Sequence, residues 1–172
     1  MFLDSFTLIN KSFGEIFTGL FGGGRAELIL VDDKNVLESG IEIIARPPGK
    51  KLQSISLLSG GEKSMTAIAL LFAILKNKPT PFCVLDEIDA ALDDANIGRF
   101  VDMVKSFSSD TQFLIVTHNK ATISAASMIY GITMEQEGVS KPISIRFSGQ
   151  DGSEEVLDDI EKLAGEETSR TS

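Results

Sequence analysis

Hydrophobic positions near the start of the chain recur in alternating steps of four and three residues. The positions concerned are Phe2, Phe6, Ile9, Phe13, Ile16 and Leu20. This spacing predicts an amphipathic helix whose apolar side forms a narrow seam. The seam can pack on a partner helix, as in a coiled coil, or on the domain to which the helix belongs, and the pattern leaves both open. Glycines at 22–24 favour left-handed backbone conformations and therefore predict the end of the helix after Phe21.

Strand patterns follow this helix. Residues 26–31 and 41–46 are apolar runs that flank a polar turn, so they predict a β-hairpin or a meander. From residue 62 onward the pattern alternates between helix and strand. The strands predicted at 82–86 and 112–117 are apolar without alternation, which is typical of parallel strands that are buried on both faces.

The remaining elements complete a prediction of the fold class. Residues 95–107 carry an apolar stripe at helical spacing, which suits a helix that covers a sheet. Short strands at 129–134 and 143–147 flank Glu137-Gly138, a pair that suits a hairpin turn. Together the elements predict an α/β fold, with a mixed sheet of parallel core strands, flanking helices and antiparallel β-hairpins.

The last segment, residues 148–172, contains eight acidic and two basic residues. Five apolar residues within it fall at helical spacing: Val156, Leu157, Ile160, Leu163 and Ala164. The segment therefore forms either a short docking helix or a solvated terminus, because few apolar groups face many charges.

Composition places the chain among ordinary globular proteins. Of its 172 residues, 42% are apolar and 24% are charged, which is enough for one hydrophobic core. The longest apolar run, 67–75, is about half of the roughly 20 residues that cross a bilayer. The N-terminus also lacks the pattern of a signal peptide, so we expect a soluble, cytoplasmic protein. With one cysteine and one histidine, the chain can form neither an intrachain disulfide nor a Cys/His zinc cluster.

Net charge limits the kinds of partner. The chain carries a formal charge of −9, of which residues 1–147 contribute −3. A self-sufficient nucleic-acid-binding protein normally presents a positive stripe that displaces counterions from phosphates. Any contact with DNA is therefore expected to be local, or shared with a partner.

The first segment with candidate chemistry precedes the helix that begins near residue 60. Ser59 and Glu62 have the spacing of a capping box. The helix dipole and the free N–H groups there, with glycines at 60 and 61 that let a ligand approach the backbone, suit a phosphate. Many helices begin in this way and bind nothing, so the segment alone also fits a purely structural helix start.

The second segment lies at the end of the strand at 82–86. Asp86 and Glu87 are adjacent, so their side chains point to opposite sides and can perform different tasks at one site. In phosphoryl transfer, one such acid holds magnesium and a second polarises the attacking water. Asp89 and Asp93 follow, and for these two a structural role has weight, because Asp93 or Asp94 makes a good N-cap for the next helix.

The third segment ends the strand at 112–117 and delivers His118, the one histidine of the chain. Ligand sites of parallel sheets lie at the carboxyl ends of the strands. His118 is therefore expected at the same edge as Asp86 and Glu87, and we interpret it as a functional residue.

Four segments in this order resemble a known family. They are Leu58-Ser59-Gly60-Gly61-Glu62, Val84-Leu85-Asp86-Glu87, Ala91-Leu92-Asp93 and Thr117-His118-Asn119-Lys120. They resemble the C-terminal half of the ATP-binding-cassette (ABC) ATPase head of the SMC (structural maintenance of chromosomes) family. Residues 81–96 and the segment Phe21-Gly22-Gly23-Gly24 resemble bacterial chromosome-condensation members more than DNA-repair relatives. The resemblance covers residues 1–147.

The resemblance implies a role for individual residues. Residues 58–62 would be the signature motif, in which Ser59 and the two glycines touch the γ-phosphate of ATP that a second head holds. Asp86 would be the Walker B ligand of Mg²⁺ and Glu87 the general base. Asp93 would be the D-loop acid and His118 the switch histidine near the γ-phosphate.

The resemblance also implies a domain organisation. Residues 1–21 would be the end of a coiled-coil arm helix, 22–147 the C-terminal lobe of the head, and 148–172 an acidic tail. The sequence contains no G-x-x-x-x-G-K-[ST], so the Walker A loop that cradles ATP is expected in a separate N-terminal lobe. We therefore expect an ATP hydrolase that uses ATP and Mg²⁺ and is inactive as this chain alone. A sheet divided between lobes would also leave an open edge here.

Expected partners follow from the same resemblance. They are the N-terminal lobe of the same SMC protein, a second head in a homodimer, the winged-helix domain of a kleisin subunit and, through the whole complex, DNA. The expected function is chromosome condensation and segregation at the nucleoid, without a membrane. Alternative functions are a structural lobe that docks a kleisin, a DNA-repair ABC ATPase fragment or a transporter subunit. A transporter subunit would normally carry Walker A ahead of the signature motif in the same chain.

Overall fold

The computed structural model describes residues 2–32, 34–36, 38–148 and 153–157. The chain divides into two compact units, Met1–Thr122 and Ile123–Ser172. The first unit contains α1 (Phe2–Phe21), β1 (Arg25–Leu30), β2 (Ile41–Arg46), β3 (Gln53–Ser54), a 3₁₀ turn (Ile55–Leu57), α2 (Gly60–Asn77), β4 (Phe82–Asp86), α3 (Asp94–Phe107) and β5 (Gln112–Val116). The short helix α4 (Lys120–Ser124) spans the division, and the second unit contains β6 (Met128–Gln136), β7 (Val139–Ser148) and β8 (Ser153–Leu157).

The core of the first unit is built from helices α1, α2 and α3 around a cluster of phenylalanines. Phe13 and Phe17 of α1, Phe72 of α2 and Phe100 of α3 are completely buried. The seam of α1 therefore packs on its own unit, with Phe6 and Ile9 partly buried against the core, which is one of the two arrangements that the spacing left open. Only the beginning of the seam differs, because Phe2 is 41% exposed.

The predicted hairpin of β1 and β2 is confirmed as an antiparallel pair, and β3 adds to its edge. The chain enters β1 through Gly24, whose φ of 84° lies in the left-handed region. A Cβ at this position would lie 2.4 Å from the carbonyl oxygen of Arg46 and 3.2 Å from the ring of Phe17. The close approach of α1 to the hairpin thus requires a glycine here.

Replacing Gly24 by alanine is therefore expected to destabilise the fold by about 1–3 kcal/mol, because backbone strain adds to a steric clash. The matched control is Gly19→Ala in the preceding helix α1, where a Cβ would meet no described atom within 4 Å. That control is expected to raise stability by about 0.5–1 kcal/mol, since alanine is the better helix former. Thermal unfolding followed by circular dichroism measures both variants. Equal stability of the two would contradict the packing described at Gly24.

Strands β4 and β5 form a parallel pair, as the sequence predicted, with Asp86 opposite Val116. The prediction that both faces are buried is wrong for this chain. Cys83 and Leu85 face the core, whereas Phe82 and Val84 remain 59% and 60% exposed. Because successive side chains on a strand alternate between faces, one whole face of this apolar sheet is open to solvent.

The α/β class is confirmed, but the strands do not join in one mixed sheet. Among the described residues they form three sheets: β1-β2-β3, the parallel pair β4-β5, and β6-β7-β8. The predicted hairpin of β6 and β7 is confirmed, and Gly138 turns it with a φ of 79°. No helix in this described part of the chain is long and apolar enough to cross a membrane.

The docking helix that the sequence left open for the tail does not form at its first two positions. Val156 and Leu157 lie in β8, which pairs with β7 in antiparallel register. The backbone hydrogen bonds that the two residues form with the edge of β7 hold them in a strand, although their spacing is also compatible with a helix. The other three positions of that pattern, at 160, 163 and 164, lie outside the described residues.

Candidate functional site

The predicted capping box at the start of α2 is confirmed. Ser59 is the N-cap residue, with φ −65° and ψ 164°, and it forms the box with Glu62. The backbone N–H of Ser59 donates to Glu62 Oε2 at 3.0 Å, and the Ser59 hydroxyl donates to the same oxygen at 2.8 Å. Leu58, the residue before Ser59, is buried in the hydrophobic core and holds the segment in place. The Ser59 side chain is thus held at an exposed helix start.

Lys50 is a member of this site to which no sequence motif points. Its ammonium lies 2.8 Å from Glu62 Oε1 and 2.9 Å from Glu62 Oε2. The hydrogen bond from Lys50 is the main reason that the pKa of Glu62 lies below its ordinary value of 4.5, with smaller contributions from Ser59. Because folding lowers this pKa, the stabilisation is present above pH 4.5 and is lost as the pH falls through the folded value.

The two glycines of the motif have different surroundings. A Cβ at Gly60 would meet no atom of the described residues within 4 Å, so the backbone here is open to a ligand. A Cβ at Gly61 would lie 3.0 Å from the carbonyl oxygen of Ala91. The start of α2 therefore packs closely on the turn that follows β4, while Gly60 and Ser59 face outward.

The two adjacent acids lie at the carboxyl end of β4, as predicted. Asp86 is the last residue of the strand, and both it and Glu87 are exposed. Glu87 has a φ of 47°, the one left-handed value among the non-glycine residues that the structure describes. Its backbone N–H donates to the carbonyl oxygen of Val116 at 2.9 Å. Left-handed backbone conformations of non-glycine residues cost free energy, and they cluster at functional sites.

His118 follows the carboxyl end of β5 and is exposed. The pairing of Asp86 with Val116 and the hydrogen bond from Glu87 to Val116 bring the ends of β4 and β5 together. The structure therefore places Asp86, Glu87 and His118 at one edge of the parallel pair, as the sequence predicted.

Asp89 has a role in the structure that the sequence pattern does not indicate. It is only 2% exposed, and its carboxylate accepts hydrogen bonds from the hydroxyls of Thr117 and Thr122. It caps no helix. These partners lie 28 and 33 residues away along the chain, so no local pattern pointed to them.

Asp93 is the N-cap of α3, where its side chain accepts a hydrogen bond of 2.9 Å from the backbone N–H of Asn96. The structural role that the sequence left open is thus confirmed. The D-loop role stays a prediction from resemblance.

The carboxylate of Asp86 fits a magnesium ligand. Mg²⁺ commonly uses one or two protein carboxylates and takes its other ligands from water and substrate phosphates. Among the described residues, no three His, Cys, Asp or Glu side chains group so as to hold a metal ion. An exposed Asp86 at the strand end therefore suits an ion that arrives with a nucleotide.

Comparison with known families and sequences gives a consistent result. Residues 9–141 match the family model of the RecF/RecN/SMC N-terminal domain. Over 146 residues the chain is 59% identical to the chromosome partition protein Smc of Bacillus subtilis. The match covers 85% of this chain and 12% of that protein, so the chain spans a small part of its relative's length.

Solved structures agree with the sequence matches. An SMC head bound to the C-terminal winged-helix domain of ScpA aligns with a TM-score of 0.79 and 44% identity, over 84% of this chain and 45% of that one. A structure from work on ATP-driven dimerisation and DNA-stimulated activation of SMC ATPases aligns with a TM-score of 0.75 and 38% identity. That alignment covers 99% of this chain and 96% of the other.

Proposed function

The chain belongs to the RecF/RecN/SMC family, and on that premise we propose that it is the C-terminal lobe of an SMC ATPase head. The observation that carries the proposal is the meeting of Asp86, Glu87 and His118 at one edge of β4-β5. The start of α2 packs on the turn that leaves this edge. Residues 1–21 would then be the end of an arm helix, 22–147 the lobe and 148–172 a tail.

The start of α2 would act in trans. Ser59 and Gly60 are exposed, and no described residue fills the space next to Gly60. Free N–H groups and the helix dipole at this point favour an anion. Two heads would therefore sandwich two ATP molecules, and each would offer residues 58–62 to the γ-phosphate that the other head holds. Donors fixed in advance stabilise the charge that develops during phosphoryl transfer.

The edge of β4-β5 would act in cis. Mg²⁺ bound with ATP would neutralise phosphate charge, and Asp86 is the residue that would hold it. Glu87 would take the proton of the attacking water, and His118 would contact the γ-phosphate side of the site. The left-handed backbone of Glu87, tied to Val116, fixes where its carboxylate can reach.

The open face of β4-β5 supports the proposal of a missing lobe. Phe82, Val84, Leu114 and Val116 are all about half exposed or more on this face. Burial of apolar surface contributes roughly 25 cal/mol per Å², so an uncovered sheet of this kind favours a partner. An N-terminal lobe that carries Walker A would cover the face and complete the nucleotide site.

Reconstitution tests this function. The 172-residue chain is mixed with the N-terminal lobe of an SMC head, and ATP turnover is measured for each lobe and for the mixture. We expect turnover from the mixture and none from this chain alone, since the proposed site would take its Walker A loop from the other lobe. Turnover by the isolated chain would contradict the proposal. We call the mixture the two-lobe head.

A second part of the proposal concerns partners. On β6, Tyr130, Ile132 and Met134 are exposed by 62%, 72% and 60% and lie on one face of the strand. A related SMC head is bound to the winged-helix domain of ScpA. We therefore place a kleisin winged-helix domain on this row, and through that complex the heads would organise DNA at the nucleoid.

The partner surface is tested by Ile132→Glu, which places a charge in the centre of the apolar row. The variant is expected to weaken binding of a kleisin winged-helix domain at least about tenfold, as loss of a central apolar contact does. Val31→Glu is a matched control, because Val31 is also apolar and is 71% exposed in the other unit. Isothermal titration calorimetry measures the affinity of each variant for the winged-helix domain. Equal loss in both variants, or none in Ile132→Glu, would contradict this surface.

A further inference from the structure

Asp89 is a buried carboxylate whose described partners are hydroxyl groups. The hydroxyl of Thr117 donates to both oxygens of the Asp89 carboxylate, at 3.0 Å to Oδ1 and 2.8 Å to Oδ2. The hydroxyl of Thr122 also donates to Oδ2. A buried charge is costly unless several hydrogen bonds compensate it. A turn that served only to connect β4 to α3 would not need a carboxylate at this position.

The contacts of Asp89 continue into the segment that carries His118. Thr117 Oγ1 accepts a hydrogen bond of 2.9 Å from the backbone N–H of Asn119. Asn119 Oδ1 in turn accepts one of 2.9 Å from the backbone N–H of Ala121. The backbone is therefore held immediately before and immediately after His118. The group that holds it is the carboxylate of Asp89, which lies two residues after Glu87.

We propose that Asp89 is a positioning residue, which sets the distance between Glu87 and His118 by holding the segment 117–122 against the turn after β4. The inference rests on the proposed function, because it concerns the histidine of that site. Hydrogen bonds to an ionised group are shorter and stronger than neutral ones, so this contact is stiff. Asp89 itself touches neither ATP nor the attacking water. It acts through the backbone on either side of His118.

Positioning by Asp89 has a measurable consequence. A displacement of about 1 Å at a reacting group can lower a rate on the order of 100-fold. Asp89→Asn keeps the shape of the side chain and removes its charge, so in the two-lobe head we expect kcat to fall about tenfold. The KM for ATP is expected to change by less than about twofold, because the residues that bind nucleotide are unaltered.

Variants of Thr117 test the same hydrogen bond from its donor side. Thr117→Val removes the hydroxyl that joins Asp89 to Asn119, whereas Thr117→Ser keeps it and should restore kcat. Thr111→Val is the matched control, since Thr111 is buried at the opposite end of β5 and donates to the carbonyl oxygen of Thr80 at 2.9 Å. Both valine variants should lower the thermal midpoint, but only Thr117→Val should lower kcat. Equal kcat losses would overturn the inference.

A double-mutant cycle with His118→Ala separates positioning from general damage. If Asp89 acts through His118, then Asp89→Asn lowers kcat in the normal head and has no further effect in the His118→Ala head. The same fractional loss in both backgrounds, or no loss in either, would overturn the inference and leave the proposed function intact. If His118→Ala itself did not lower kcat, the role proposed for His118 would be wrong, and the inference would fail with it.

Discussion

The Glu87→Gln two-lobe head is expected to bind ATP and to dimerise, yet to hydrolyse ATP on the order of 10²–10⁴ times more slowly. The amide has the size of the carboxylate and can keep the same backbone, which is held at a φ of 47° by the hydrogen bond to Val116. It cannot accept a proton from water near neutral pH. The engaged dimer should therefore accumulate, because the step that separates the heads is blocked.

Two measurements check this result. Single-turnover hydrolysis gives the rate of the chemical step, and light scattering with size-exclusion chromatography gives the dimer fraction with ATP. Glu42→Gln is a suitable control, since Glu42 is an exposed glutamate of β2 in the hairpin. If Glu87→Gln abolished ATP-dependent dimerisation, Glu87 would be a binding residue and not the general base.

The Ser59→Arg two-lobe head is expected to bind ATP normally, but to lose dimerisation and at least about 100-fold in turnover. Ser59 is an exposed N-cap beside the open backbone of Gly60, so a long side chain would occupy the space proposed for the γ-phosphate of the other head. Loss of the N-cap alone costs only about 1 kcal/mol and should leave the lobe folded.

Nucleotide binding to the single Ser59→Arg head is measured by fluorescence titration, and dimerisation by light scattering. Ser108→Arg, at the exposed C-terminal end of α3, controls for the added charge. Loss of nucleotide binding to the single head would place Ser59 in the site of its own head. Turnover equal to that of the unaltered protein would remove Ser59 from the site altogether.

Most of the fold was predictable because its elements carry local patterns. The strands at β4 and β5, the helix stop at Gly22–Gly24 and the capping box of Ser59 and Glu62 each depend on residues that are close in sequence. The open face of β4-β5 was not predictable in this way. Its apolar residues have the pattern of a sheet buried on both sides, and the structure of this chain covers only one side.

The contacts that the sequence did not predict join distant segments. Lys50 reaches Glu62 across 12 residues, and Asp89 reaches Thr117 and Thr122 across 28 and 33 residues. Position in the sequence alone does not show that a lysine or an aspartate will meet such partners. Val156 and Leu157 show that tertiary pairing can also override a local pattern, because two residues with helical spacing lie in a strand that pairs with β7.

Mixing the Glu87→Gln and Ser59→Arg heads tests the sharing of sites between heads most directly. Each variant alone places a defect in every site of its dimer. In a mixed pair, one site receives both defects, and the other combines a normal Glu87 with a normal Ser59. We predict that the mixture regains ATP turnover well above either variant alone. Turnover that stays at the level of the separate variants, while energy transfer between labelled heads shows mixed pairs, would contradict the account.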